Sequence, residues 1–128
     1  MGAVKIYIAG KITGDPDYQK KFRIVQRGLE EDGYIVLSPA VLPFGMSPAD
    51  YMKICFAMID VADKVYFMPD FRRSGGANLE REYCDYTKKP VCYLSIRQMQ
   101  YFGQIYNGTK IIMDEDDVDE DPYFDIDD

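Results

Sequence analysis

The chain contains no histidine. That excludes Ser-His-Asp and Cys-His nucleophilic machinery and any histidine-held metal. Cysteine is also scarce: Cys55, Cys84 and Cys92 are odd in number, widely spaced, and form no CxxC pair. Such a set fits buried thiols in a reduced, cytosolic setting better than a disulfide framework. No apolar run approaches the roughly 20 residues needed to span a bilayer. A strand pattern starts at Val4, without the charged region and cleavage site of a signal peptide, so none is expected. Internal repeats are absent, and the acid-rich stretch 113–128 is the one low-complexity segment.

What is present is one domain's worth of chain: 128 residues, 47% hydrophobic and 29% charged, enough for a real core. The net charge of −7 conceals an asymmetry. Residues 113–128 hold ten acidic residues and no basic one, which leaves twelve acidic against fifteen basic in residues 1–112, a net of +3. The chain therefore reads as a mildly basic domain, 1–112, followed by an acidic tail, 113–128. The domain tolerates a phosphate-bearing ligand. A large nucleic-acid surface, with its clustered Lys and Arg, is not expected.

Hydrophobic periodicity alternates between two types. Lys5 to Ala9 reads as a buried strand that ends in a turn at Gly10. Residues 17–32 read as a helix, with Tyr18, Phe22, Val25 and Leu29 on one face and Gly33 as the stop. Tyr34 to Leu37 is a second strand, followed by a loop rich in Pro and Gly. Ser47-Pro48-Ala49-Asp50 then marks a helix start, and that helix carries Tyr51, Cys55, Met58 and Ala62 on one stripe. Lys64 to Met68 is a third strand, Gly75-Gly76 opens a helix running to about Lys88, and Pro90 to Leu94 is a fourth strand. A helix or loop containing 98–106 and a short fifth strand at 110–113 complete the pattern. The expectation is a single three-layer α/β domain, flavodoxin- or Rossmann-like. It has an open parallel sheet of four to five strands, helices on both faces and right-handed crossovers. Ligands in such sheets bind outside the carboxyl ends of the strands, near a topological switch point. The loop after Ala9, the loop after Met68 and the helix start near Gly76 are therefore the places to inspect.

Gly10-Lys11-Ile12-Thr13-Gly14 follows the first strand. Glycines let backbone N–H groups approach an anion, and Lys11 adds a charge. The stretch is neither a P-loop nor G-x-G-x-x-G, and a strand-to-helix turn with a solvated Lys is the plain alternative. In Ser74-Gly-Gly-Ala-Asn-Leu-Glu80, Ser74 and the glycines stand at a helix N-terminus, which favours an anion. Glu80 lies about one turn further in, with Ala77, Tyr83 and Cys84 as its helical neighbours. Partial desolvation raises its pKa and the helix N-terminus lowers it. A carboxylate so placed can attack a sugar carbon and form a covalent glycosyl intermediate. An early-helix Glu that only complements the dipole is the alternative. Asp60 and Asp63, just ahead of the third strand, have structural capping roles as their first reading.

Taken together, Lys5-Ile-Tyr-Ile-Ala-Gly-Lys-Ile-Thr-Gly14, the stretch Asp60 to Tyr66, and Ser74-x-Gly-x-x-x-Glu80 followed by Lys89-Pro90-Val91 resemble the nucleoside 2-deoxyribosyltransferase-like superfamily. The likeness covers residues 4–94 and extends to a small bacterial and phage branch of unassigned function. It implies cleavage of the N-glycosidic bond between a (deoxy)ribose and a base, with Glu80 attacking C1′ and the sugar passing to a second base or to water. It implies that Tyr7, Gly10 and Gly76 line the sugar and phosphate. Transferases of the superfamily commonly carry Asp at the position of Ser74, whereas the 2′-deoxynucleoside 5′-monophosphate N-glycosidases carry Ser near the phosphate. Ser74 thus points to a 5′-monophosphate.

One departure stands out: Cys55 occupies a position where the superfamily usually has an Asp. Asp60 or Asp63 could take over its catalytic role, or the fold could bind a nucleotide without turning it over, as a sensing or sequestering module. No metal or organic cofactor is implied, since carboxylate chemistry on a sugar needs neither. The resemblance also implies a homodimer or higher homo-oligomer whose neighbour completes each pocket. The tail, with Tyr123 and Phe124 inside its acidic run, could reach such a site, or its acidic charge could mimic nucleic acid and occupy a DNA-binding partner. A plain solvating tail is the simpler reading. The tail is no EF-hand, lacking the required Gly and closing Glu.

Overall fold

Ile6 and Ile8 point to one side of the first strand and Tyr7 and Ala9 to the other, and all four are fully buried. A strand without an exposed face must sit inside a sheet covered on both sides. The computed structural model, which describes residues 2–105, has that architecture. Its order is β1 (Lys5–Ala9), α1 (Tyr18–Glu31), β2 (Ile35–Leu37), α2 (Pro48–Val61), β3 (Lys64–Phe67), α3 (Gly75–Thr87), β4 (Val91–Tyr93) and α4 (Ile96–Ile105). Short 3-10 turns at Pro39–Val41 and Phe71–Arg73 follow β2 and β3.

The four described strands are all parallel, in the order β2-β1-β3-β4. Tyr7 lies opposite Leu37 on one side and Val65 on the other. The chain steps from β1 outward to β2, then returns across β1 to β3. The switch point therefore falls between the carboxyl ends of β1 and β3. One core layer joins Ile6, Ile8 and Met68 to Phe22, Val25 and Leu29 of α1 and to Met99 and Phe102 of α4. The other joins Tyr7, Ala9, Val65 and Phe67 to Cys55 and Ile59 of α2 and to Ala77 and Cys84 of α3.

Local signals explain the ends of the elements. The Ser47 hydroxyl accepts the Asp50 N–H at 3.2 Å, with Pro48 at the first helical position. At the end of α1, Gly33 takes a positive φ of 93°, and Tyr34 N–H returns to the Leu29 carbonyl. The apolar stripe of α2 differs from the expected one: Cys55, Ile59 and Ala62 are buried, while Tyr51 and Met58 are only half-buried. Tyr51 instead faces the loop before its own helix, donating to the Pro43 carbonyl at 2.6 Å. The expected fifth strand at 110–113 and the acidic tail lie outside the described residues.

Candidate active site

A cleft of about 570 Å³ opens at the carboxyl end of the sheet, beside the switch point. Gly10, Ile12 and Thr13 from the loop after β1 form one wall, and Ser74, Gly76 and Glu80 from α3 form another. The loop between β2 and α2 adds Leu42, Phe44 and Met46, and α2 adds Tyr51, Met52 and Cys55. The volume and mainly apolar lining are those of a small-molecule pocket. Two shallower recesses, one beside Tyr83 and Tyr86 and one beside Lys88 and Lys89, lie along α3 and do not include Glu80.

Glu80 is the one carboxyl group among the described residues that line the cleft, and it is only 5% exposed. Its helix begins with Ser74, whose hydroxyl accepts the Ala77 N–H at 3.1 Å. Ala77, Glu80 and Cys84 form the buried stripe of α3, so Glu80 lies within that stripe rather than at its edge. From there it reaches β1, where the fully buried Tyr7 donates its O–H to Glu80 Oε2 at 2.6 Å. The buried Cys55 thiol packs in the same core layer as Tyr7 and interacts electrostatically with the pair. Burial pushes the Glu80 pKa up from 4.5 to about 7, against the lowering effect of Tyr7 and Cys55. Burial, relieved by the Tyr7 hydrogen bond and reinforced by the Glu80 charge, pushes the Cys55 thiol up to about 12. Tyr7 is raised well above its ordinary value, first by burial and then by Glu80. Both neighbours therefore stay protonated at neutral pH and can donate to a carboxylate.

Gly10, Ser74, Gly76 and Glu80 meet at the cleft, with Tyr7 beneath Glu80. A side chain at position 10 would sit 3.0 Å from Met68 Sδ and 3.1 Å from Asp70 Oδ1, so any residue larger than glycine would push these neighbours aside by a few tenths of an ångström. Lys11, expected beside the ligand, is not among the residues that line the cleft, and its backbone N–H is already taken by Asp70 Oδ1 at 3.1 Å.

The catalytic expectation for Asp60 and Asp63 is corrected by their placement. Asp63 precedes β3 at the opposite, amino-terminal edge of the sheet. It accepts the Lys5 N–H at 2.8 Å and pairs with Lys5 Nζ at 3.5 Å. The Lys5 backbone hydrogen bond is the main reason its pKa is lowered. Asp60, on the last turn of α2, accepts the Tyr83 hydroxyl at 2.6 Å beneath the stacked Phe56–Tyr83 pair. Neither residue lines the cleft. The sequence reading also passed over Asp70 and Lys21, which are buried and ion-paired beneath the loop after β1. An acid directly after β3, at the switch point, was the available signal. Among the described residues no cluster of three or more Cys, Asp or Glu could hold a metal ion, and no helix is long and apolar enough to cross a membrane.

The four-stranded parallel sheet in the order β2-β1-β3-β4, with helices on both faces, is a fold that solved structures share. Similar solved structures include a conserved protein from Enterococcus faecalis V583 (17% identity, TM-score 0.58, covering 77% of this chain and 67% of that one). A 2-deoxyribosyltransferase from Bacillus psychrosaccharolyticus is also similar (19% identity, TM-score 0.57, 86% and 77%). So is a CMP N-glycosidase from Clostridium botulinum (19% identity, TM-score 0.54, 88% and 91%). At these identities the likeness is one of fold. The chain itself belongs to the family described as Domain of unknown function (DUF4406), whose model matches residues 4–93. A comparison with curated proteins gives no match.

Proposed function

We propose that this protein cleaves or transfers at the N-glycosidic bond of a (deoxy)nucleoside 5′-monophosphate or nucleoside, with Glu80 as the nucleophile. The observation that carries this reading is a carboxylate 5% exposed, hydrogen-bonded by Tyr7, at the wall of a nucleotide-sized cleft. Structural metal-free ion pairing does not account for it, since its partners are neutral donors. Buried acids with raised pKa values gather at functional sites.

In the proposed reaction the ionised Glu80 attacks C1′ of the sugar. The C1′–N bond breaks and its electron pair leaves with the base, which takes up a proton. A glycosyl ester with Glu80 remains. Water or a second base then attacks C1′, breaks the ester and returns the carboxylate. Tyr7 holds Glu80 in place by donating to it. Gly76 and the Ser74 hydroxyl stand where the N-terminus of α3 favours a phosphate. Phe44, Met46 and Met52 offer an apolar surface for the flat base.

A second reading is favoured by Cys55. A thiol pushed up to about 12 is a poorer general acid for a departing base at neutral pH than a carboxyl group would be. On this reading the cleft binds a nucleotide and turns it over slowly or not at all. Incubation with a panel of nucleosides and 5′-monophosphates, with and without a free acceptor base, separates the two. Base release, resolved by chromatography, supports cleavage, and its dependence on acceptor distinguishes transferase from hydrolase. Ligand-induced thermal stabilisation with no base released from any compound supports the binding module. The proposal includes self-association, which sedimentation measures; a fully active monomer would remove a neighbouring subunit from the site.

A further inference from the structure

The loop at residues 10–15 forms the β1 wall of the cleft, and its Lys11 backbone is held on both polar groups from beneath. Asp70 Oδ1 accepts the Lys11 N–H at 3.1 Å, and Lys21 Nζ donates to the Lys11 carbonyl at 2.9 Å. Lys21 and Asp70 are themselves joined by a short ion pair, which closes a ring through residue 11. Lys21 also donates to Asp15 Oδ2 at 2.7 Å, tying down the far end of the loop. The side chains of Lys21 and Asp70 are only 7% and 3% exposed. The ring joins three separate pieces of chain: the loop, α1, and the turn after β3.

Burying two charges is costly, and such a pair is seldom more stable than well-packed apolar residues would be. Its effect here is geometric. The loop carries Gly10 and Gly14, the latter at a φ of 83°, and would otherwise sample many conformations that a ligand would have to suppress. Because the Lys11 amide is engaged by Asp70, the loop contributes shape to the cleft rather than that amide as an anion donor.

We propose that Lys21 and Asp70 are positioning residues whose pair holds the 10–15 loop as a preformed wall of the cleft. Gly10, Ile12 and Thr13 then meet a ligand without first being ordered. The identity of that ligand, a nucleoside 5′-monophosphate, rests on the function proposed above.

Replacing Lys21 alone would leave Asp70 buried without its cation, so the informative variant is Lys21→Met with Asp70→Asn. It removes both charges and keeps an acceptor for the Lys11 N–H. Two readouts are taken on the full chain. The first is residue-resolved amide exchange without ligand. The Lys11 and Asp15 amides, bonded to Asp70 and to the Ile12 carbonyl, are expected to exchange at least roughly tenfold faster while the β1 and β3 amides stay protected. The second is calorimetric affinity for a panel of 5′-monophosphates, measured in a Glu80→Gln background so that nothing is consumed. Kd is expected to rise at least roughly tenfold. Unchanged loop exchange overturns the proposal, as does faster loop exchange with unchanged affinity. If no 5′-monophosphate binds the parent protein, the nucleotide reading fails, while faster loop exchange still supports the clamp. Should the double variant not fold, Asp70→Asn alone is judged by the same exchange criterion.

Discussion

At the carboxyl edge of the sheet, Glu80 is packed against Tyr7 and Cys55, and burial lifts its pKa to about 7. At the amino edge, Asp63 lies exposed beside Lys5, and its pKa is lowered, chiefly by the Lys5 backbone N–H. The same functional group is thus held in opposite conditions at the two ends of one domain. The Asp63 site favours the charged form and asks nothing of the fold. The Glu80 site penalises the charged form, and its cleft lies at the switch point where parallel sheets bind ligands. Local destabilisation of that kind is characteristic of sites kept for chemistry or binding rather than for stability.

The largest expected effect comes from Glu80→Gln, which keeps an acceptor for Tyr7. Base release should fall by on the order of 10³-fold or more. Stability should move the other way. Because the folded pKa of Glu80 is raised above its unfolded value, the folded state binds more protons between pH 4.5 and about 7, and wild-type stability declines across that window. The loss amounts to about 3 kcal/mol and persists above it. Urea titrations should therefore find the two proteins alike near pH 4.5 and the variant about 3 kcal/mol more stable at pH 8. Equal stability at both pH values would contradict the burial account of Glu80.

Next in size is Tyr7→Phe. It removes a hydrogen bond that lowers the Glu80 pKa, so the rise of kcat/KM with pH should move from about 7 to a higher value. A cost of about 1 kcal/mol in stability should accompany it. An unmoved pH profile would mean that Tyr7 does not tune the carboxylate. Ser74→Ala removes the α3 N-cap and should cost about 1 kcal/mol. It should also weaken 5′-monophosphates more than nucleosides in competition measurements, and equal weakening would remove Ser74 from phosphate recognition. The smallest effect belongs to Asp63→Asn: an exposed pair contributes little, so Tm and base release should both stay close to wild type. A large loss of release there would break the contrast between the two edges.

Much of the fold was legible because its signals are local. Ser47-Pro48 and Gly33 mark helix ends with atoms from a few residues away, and the unbroken hydrophobic run Ile6 to Ala9 in β1 announces a buried parallel strand. Glu80 was legible as a candidate from its place in α3. Its degree of burial was not, because the group that covers it, Tyr7, lies 73 residues away in sequence. The Lys21–Asp70 pair was invisible for the same reason: a Lys on α1 reads as solvated until a partner 49 residues away is brought under it. Asp60 and Asp63 read first as capping residues and entered the site only as stand-ins for the acid that Cys55 replaces. In a parallel sheet, however, the residues that precede a strand lie at the edge opposite the ligand.

The central claim is that Glu80 forms a bond to the sugar. The most direct test is peptide mass spectrometry of protein acid-quenched during reaction with a 5′-monophosphate from which base is released. The account predicts a mass increase of one sugar phosphate on the peptide that contains Glu80, absent from Glu80→Gln. Base release that continues in Glu80→Gln, with no adduct on Glu80 in the wild type, would contradict it.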